Sequence, residues 1–237
     1  MALINPETKL CDVVINDPSV ITVINRFNIS LGVGDKNVSE ICLSKNIDTD
    51  FFLTILNTFI NEEYFPEKIL KSFSANMIID YLNKTNDYYQ RFQLPNIERH
   101  FDLLISRSNS NNNNLELMRK FFVEMKQELL SRIENDRNVW FPEIMSLENE
   151  ISVAHCDEFR MIYDESENDM IEEKLSDLKN MFVIHLNGEY DLNLCHAVLF
   201  AIISFEKDIN QNNRIRNRIL KPVTKAMKKV TTSKSFK

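Results

Sequence analysis

The sequence predicts an all-α protein, with a small N-terminal helical domain ahead of an antiparallel four-helix bundle. Three observations predict it. The 237 residues hold only three glycines and six prolines, too few for a many-turned β architecture. Apolar residues recur at steps of three and four over long stretches. Four of these stretches are long and joined by short polar segments, the pattern of a bundle.

Residues 1–65 read as short helices. In "NDPSVITVINRFN", Asp17 is the N-cap and Pro18 the first helical position. "SLGVGDKNVSEICL" is a glycine loop running into a helix, and "DTDFFLTILNTFINEEYF" is a third helix. "PEKILKSFS" links to the second domain, expected over 72–230, with a basic tail at 231–237. There the first long helix covers about Ala75 to Ser106, and Pro95 is expected to kink or break it. "SNSNNNN" is a polar low-complexity loop. The second helix, about Leu115 to Trp140, carries the stripe Met118, Phe121, Phe122, Met125, Leu129. The third starts near Glu148 and runs through Phe159 and Ile162, with "DESEND" interrupting it before "MIEEKLSDLKNMFVIHL". "NGEY" is a turn, and the fourth helix begins near Leu192.

Composition narrows the classes. Apolar residues make up 43% and charged residues 27%, which places the chain among globular proteins. A net charge of −7 gives no reason to expect nucleic acid. The charge is uneven, however. No acid follows Asp208, while Arg214, Arg216, Arg218, Lys221, Lys225, Lys228, Lys229, Lys234 and Lys237 do. Nucleic-acid binding through this basic end or the N-terminal domain is therefore an alternative reading. Cys11, Cys42, Cys156 and Cys195 form no CxxC pair. With no signal peptide and no long apolar run, the expectation is a cytoplasmic protein with free thiols and no membrane partner.

Two helices carry polar residues on the face the stripe assigns to the interior. Val198, Ile202, Phe205 and Ile209 lead on to Asn212, Arg216, Ile219 and Leu220. Beyond Leu129 the second helix reaches Arg132, Asp136, Val139 and Trp140. His155 lies on the line Ile151, Glu158, Ile162. Bundles place metal ligands at such positions, and a di-iron site uses His and Glu lone pairs. Arg has no lone pair to give.

Four motifs anchor a family resemblance: "LP" at Leu94-Pro95, "VWFP" at Val139 to Pro142, "FEKD" at Phe205 to Asp208 and "RILKP" at Arg218 to Pro222. Over nearly its whole length the chain resembles the iron-centre repair (RIC) family, a small N-terminal helical domain joined to a hemerythrin-like di-iron bundle. The resemblance puts Asn212 where the family has a His ligand and Arg216 where it has a bridging Glu. Its second-helix "H-x-x-x-E" falls on Arg132 and Asp136, and its first-helix His on Asp87. His155 alone keeps the ligand type. The family's Cys-Cys-Gly-Gly loop resembles "LGVGDK", where Gly32 and Val33 replace the cysteines ahead of Gly34.

The resemblance implies a degenerate member with no catalytic residues, no cofactor and no metal. The function implied is a non-enzymatic regulatory or interaction module with a protein partner, or a homodimer. An iron-containing cluster-repair or nitric-oxide response protein is the alternative, with a single metal on Asp87, Asp136 and His155 as a lesser one. In the metal-free reading Arg132 or Arg216 is expected to donate to Asp136 or Asp87, with Asn212 and His155 completing the cluster.

The remaining candidates carry less. His100, His185 and His196 read as surface or packing residues. Cys195 and His196 point about 100° apart on a helix, so they form no dyad. "GVG" lacks a preceding strand, so it marks no nucleotide site.

Overall fold

A computed structural model describes residues 3–108, 113–151 and 170–234. Among them every regular element is helical, apart from one isolated bridge between Lys9 and Asn37. None of these helices is long and apolar enough to cross a membrane. The chain divides into two compact units, residues 1–84 with 214–237, and residues 85–213. This grouping differs from the expected 1–65 and 72–230, because aromatic and ionic contacts join residues 65–84 and 214–218 within the first unit.

The first unit opens with α1 (Leu10–Asn16), a 3-10 turn (Pro18–Val20) and α2 (Ile21–Arg26). The Asp17 carboxylate accepts from the Ser19 amide at 3.0 Å, and Pro18 stands at N1, as the sequence predicts. α3 (Val38–Lys45) begins at a capping box in which Asn37 and Glu40 each accept from the other's amide. It ends at Asn46 in the left-handed region. Asp48 caps α4 (Thr49–Ile60). The segment expected as a link instead forms α5 (Glu67–Ser72). Its Leu70 is fully buried, and its Glu67 pairs with Lys71 one turn on and with Arg218, which supports the helix.

The aromatic core of this unit explains why residues up to 84 belong with it. Phe27 packs edge-on to Phe52 at 4.9 Å and lies 5.7 Å from Tyr81. Phe51 meets Phe73 at 5.0 Å. Arg26 is buried there and donates to the Tyr81 hydroxyl at 3.0 Å. The guanidinium groups of Arg214 and Arg218 lie over the Phe65 ring, at 4.4 and 4.6 Å.

In the second unit one apolar core draws on four helical segments. They are α7 (Leu94–Ser106), α8 (Asn113–Asn135), α10 (Ile171–Asn180) and α11 (Leu192–Ile215). Phe101 stacks on Phe122 at 5.6 Å and meets Phe182 at 5.5 Å. Gly188, with φ +83°, makes the turn before α11. His155 and the third helix beyond Ile151 lie outside the described residues. Glu148–Ile151 are not the start of a new helix. They belong to α9 (Phe141–Ile151), which continues from α8 through the "FP" motif.

Helix continuity across prolines is the fold's main departure from expectation. α6 (Ala75–Tyr88) runs into α7 through a π turn, Tyr89–Gln93. A second π turn, Asp136–Trp140, joins α8 to α9, and a third, Arg216–Leu220, joins α11 to α12 (Lys221–Lys234). Each ends two residues before a proline, at Pro95, Pro142 and Pro222. In each, the residue before the proline donates five residues back, as Leu94 does to Tyr89. A proline in an α-helix has no amide proton and strikes the carbonyl four residues back. Widening the preceding turn moves that carbonyl, so the helix passes through unbroken. Of the kink or break expected at Pro95, the break does not occur, and a π turn precedes the proline instead. α12 likewise carries helix to Lys234, past the expected start of the tail at 231.

The extra residue in each wide turn also rotates the downstream helix about its axis. Buried positions step from Tyr89 by five to Leu94 and from Asp136 by five to Phe141. Val139, placed inward by an uninterrupted stripe, is exposed for this reason. A fourth π turn, Met181–His185, ends α10 without a proline.

Candidate functional site

The interior of the second unit holds a polar layer where α11 leaves its apolar stripe. Asp208, Gln211, Asn212 and Asn213 are all buried. The Asn212 side-chain nitrogen donates to the Tyr89 hydroxyl at 2.6 Å. It also donates to the Asp208 carbonyl at 2.8 Å and lies 3.1 Å from the Asp208 carboxylate. The Asn212 amide oxygen has no hydrogen-bond partner. Tyr89, fully buried and edge-on to Phe205 at 5.1 Å, is fixed by packing. Next to this group Arg132 donates to the Asn213 amide oxygen at 2.9 Å, and Asn213 donates to Glu172 at 2.8 Å. α8, α11 and α10 are therefore tied by one chain of side-chain hydrogen bonds. Gln93, on the π turn after α6, donates to the Ala201 carbonyl and ties α11 there as well.

The residues expected in a vestigial metal site fall in several places. Asn212 and Arg132 are drawn into this layer, through Tyr89 and Asn213. Asp136 is 2% exposed and opens the second π turn, one helical turn from Arg132. Asp87 does not join them. Its carboxylate pairs with Arg137 at 2.6 Å on a half-exposed surface. Arg216 opens the third π turn in the first unit, where it donates to the neighbouring Asn217 at 3.2 Å. Tyr89, Asp208, Asn213 and Glu172 are the participants that the stripe did not identify. Asp208 had a signal, since it stands four residues before Asn212 on the same face.

These donors do not fit a di-iron centre. The Arg132 guanidinium offers only protons where iron needs lone pairs, and the Asn212 amide oxygen is a neutral carbonyl donor in place of an imidazole. Among the described residues no three His, Cys, Asp or Glu side chains are grouped closely enough to hold a metal ion.

In the first unit, the loop expected to resemble the family's cysteine loop has Gly32 at φ +87° and Gly34 at φ +63°. Val33 between them is partly buried. Both glycines serve backbone geometry, since a Cβ at either would meet nothing within 4 Å. Burial pushes the thiols of Cys42 and Cys195 above their usual range, which makes them poor nucleophiles. His196 contacts Phe200, edge to face at 6.4 Å, on the outer side of α11.

No protein-family model matches this chain, and no curated protein is similar enough to it to count as a relative.

Proposed function

We propose that the chain is a hemerythrin-like antiparallel four-helix bundle, akin to the RIC family, that works without iron as a non-enzymatic interaction or regulatory module. One observation carries the reading. At two positions where the resemblance places iron ligands, Asn212 and Arg132 present N–H donors already committed to Tyr89, Asp208 and Asn213. The interior positions that would hold iron in the family hold the helices together here by hydrogen bonds. Support for the bundle comes from the single core shared by four helical segments. A scaffold whose interior is closed in this way acts through its surface.

Iron loading tests the proposal. Protein purified anaerobically and titrated with ferrous iron is expected to hold no stoichiometric metal. It should show no hemerythrin-like visible absorption and no rise in melting temperature, which any ligand selective for the native state would produce. About two irons per chain with that absorption would overturn the reading.

A further inference from the structure

The first unit holds a cleft of about 530 Å³ that lies apart from the polar layer described above. The volume is that of a small-molecule site. One wall is a single face of α4, where Asp50, Leu53, Thr54 and Asn57 follow the i, i+3, i+4, i+7 pattern. Ile69 of α5 and Phe73 just after it line a second wall, and residues 3–6 a third. These walls are fixed in advance. The Asn57 side chain accepts from the Ile4 amide at 2.7 Å and donates to the Ile4 carbonyl at 2.9 Å. The Pro6 carbonyl accepts from the Ser39 amide at 3.0 Å. Phe73 packs edge-on to Phe51 at 5.0 Å. A ligand entering a cleft of this kind need not order its walls.

We infer that this cleft binds an organic ammonium ion with an apolar body. The lining selects that class. It carries one charge, the Asp50 carboxylate, and no Lys, Arg or His. Among the described residues neither that carboxylate nor the Tyr64 hydroxyl has a side-chain partner. The Thr54 hydroxyl and the Asn57 amide, by contrast, are committed to backbone groups, Thr54 donating to the Asp50 carbonyl at 2.6 Å. Asp50 stands in the first turn of α4, where a carboxylate also meets the helix dipole. What turns it toward a ligand is the company it keeps in the cleft. Tyr64 and Phe73 bring two aromatic rings to the same lining, and ring faces attract ammonium groups. Ammonium protons suit a carboxylate and a phenolic oxygen, both acceptors. Leu53 and Ile69 receive the apolar body. An anion would meet an uncompensated carboxylate, and a neutral ligand would forgo the charge-assisted bond. Asp50 is exposed, so the preference for charge is a few-fold rather than absolute. No residue of the cleft belongs to the second unit, so this inference does not depend on whether that interior binds iron.

Three probes that share one apolar body test it: phenylbutylamine, phenylbutanol and phenylbutyrate, which are cationic, neutral and anionic at neutral pH. Methyl NMR of the full chain reads where each one binds. The amine should shift the methyl signals of Ile4, Leu53 and Ile69 and saturate with a dissociation constant on the order of 1 mM, as suits so small a ligand. The alcohol should bind about three- to tenfold more weakly, and the acid more weakly still. Asp50→Asn, with unchanged circular dichroism, should bring the amine and the alcohol to within about twofold of each other. Amine titrated to about 10 mM without shifts at those three residues overturns the inference. So does an acid that binds as tightly as the amine, or an Asp50→Asn variant that keeps the full preference for the amine. If Asp50→Asn loses helicity, Asp50→Ser replaces it, and a preference retained there has the same adverse meaning.

Discussion

Replacing Asn212 by Leu should be among the more damaging single changes in the second unit. Its side-chain nitrogen donates to a tyrosine hydroxyl at 2.6 Å and to Asp208 through the carbonyl at 2.8 Å, with the carboxylate at 3.1 Å. A neutral buried hydrogen bond contributes about 0.5–1.5 kcal/mol, and one to an ionised group about 1.5–3 kcal/mol. Leucine has the branching of asparagine and somewhat more bulk, so no cavity is left and any overpacking adds to the cost. The loss of one bond of each kind costs about 2–4 kcal/mol. For a chain of this size that lowers the melting temperature by roughly 5–15 °C. Urea unfolding followed by circular dichroism measures the cost. Tyr89→Phe removes one of the same partners and should cost about 1 kcal/mol alone. The double variant should then cost less than the two single effects added, because they share a bond. A cost for Asn212→Leu below about 0.5 kcal/mol, or strictly additive effects, would refute the hydrogen-bonded layer.

Other consequences are smaller or of opposite sign. Asp87→Ala should change stability by less than about 1 kcal/mol in urea melts, because its partner Arg137 is half exposed. A large loss would return Asp87 to the interior. Pro95→Ala should keep the fold and shift stability by less than about 1 kcal/mol, because buried Tyr89 and Leu94, not the proline alone, hold the π turn. Amide exchange at Leu94 reads this directly, and fraying of α7 would contradict it. Cys11, only partly buried, should react with a thiol reagent well before Cys42 and Cys195. Burial raises the thiol pKa of Cys42 and Cys195 in the folded state. The unfolded chain therefore loses those protons first, and stability falls as pH rises above the unfolded thiol value. Equal stability on either side of that range in buffered melts would contradict the burial.

Much of the architecture is written in local sequence. Asp17-Pro18, Asn37 with Glu40, and Asp48 start helices because their side chains satisfy nearby amides, an interaction within four residues. The stripe from Val198 to Ile209 marks a buried face for the same short-range reason, and its interruption at Asn212 is visible as a polar residue in an apolar line. What the sequence could not supply was partner choice. Asp87 and Asp136 look alike in sequence, yet one meets Arg137 at the surface and the other is buried. Tyr89 reads as an ordinary core aromatic until packing brings its hydroxyl to Asn212, 123 positions away. The π turns fall between these cases. The prolines announced a disturbance, but whether the chain breaks or widens depends on whether the core needs the next face rotated. At Tyr89 to Leu94 and at Asp136 to Phe141 it does, and tertiary packing decides that.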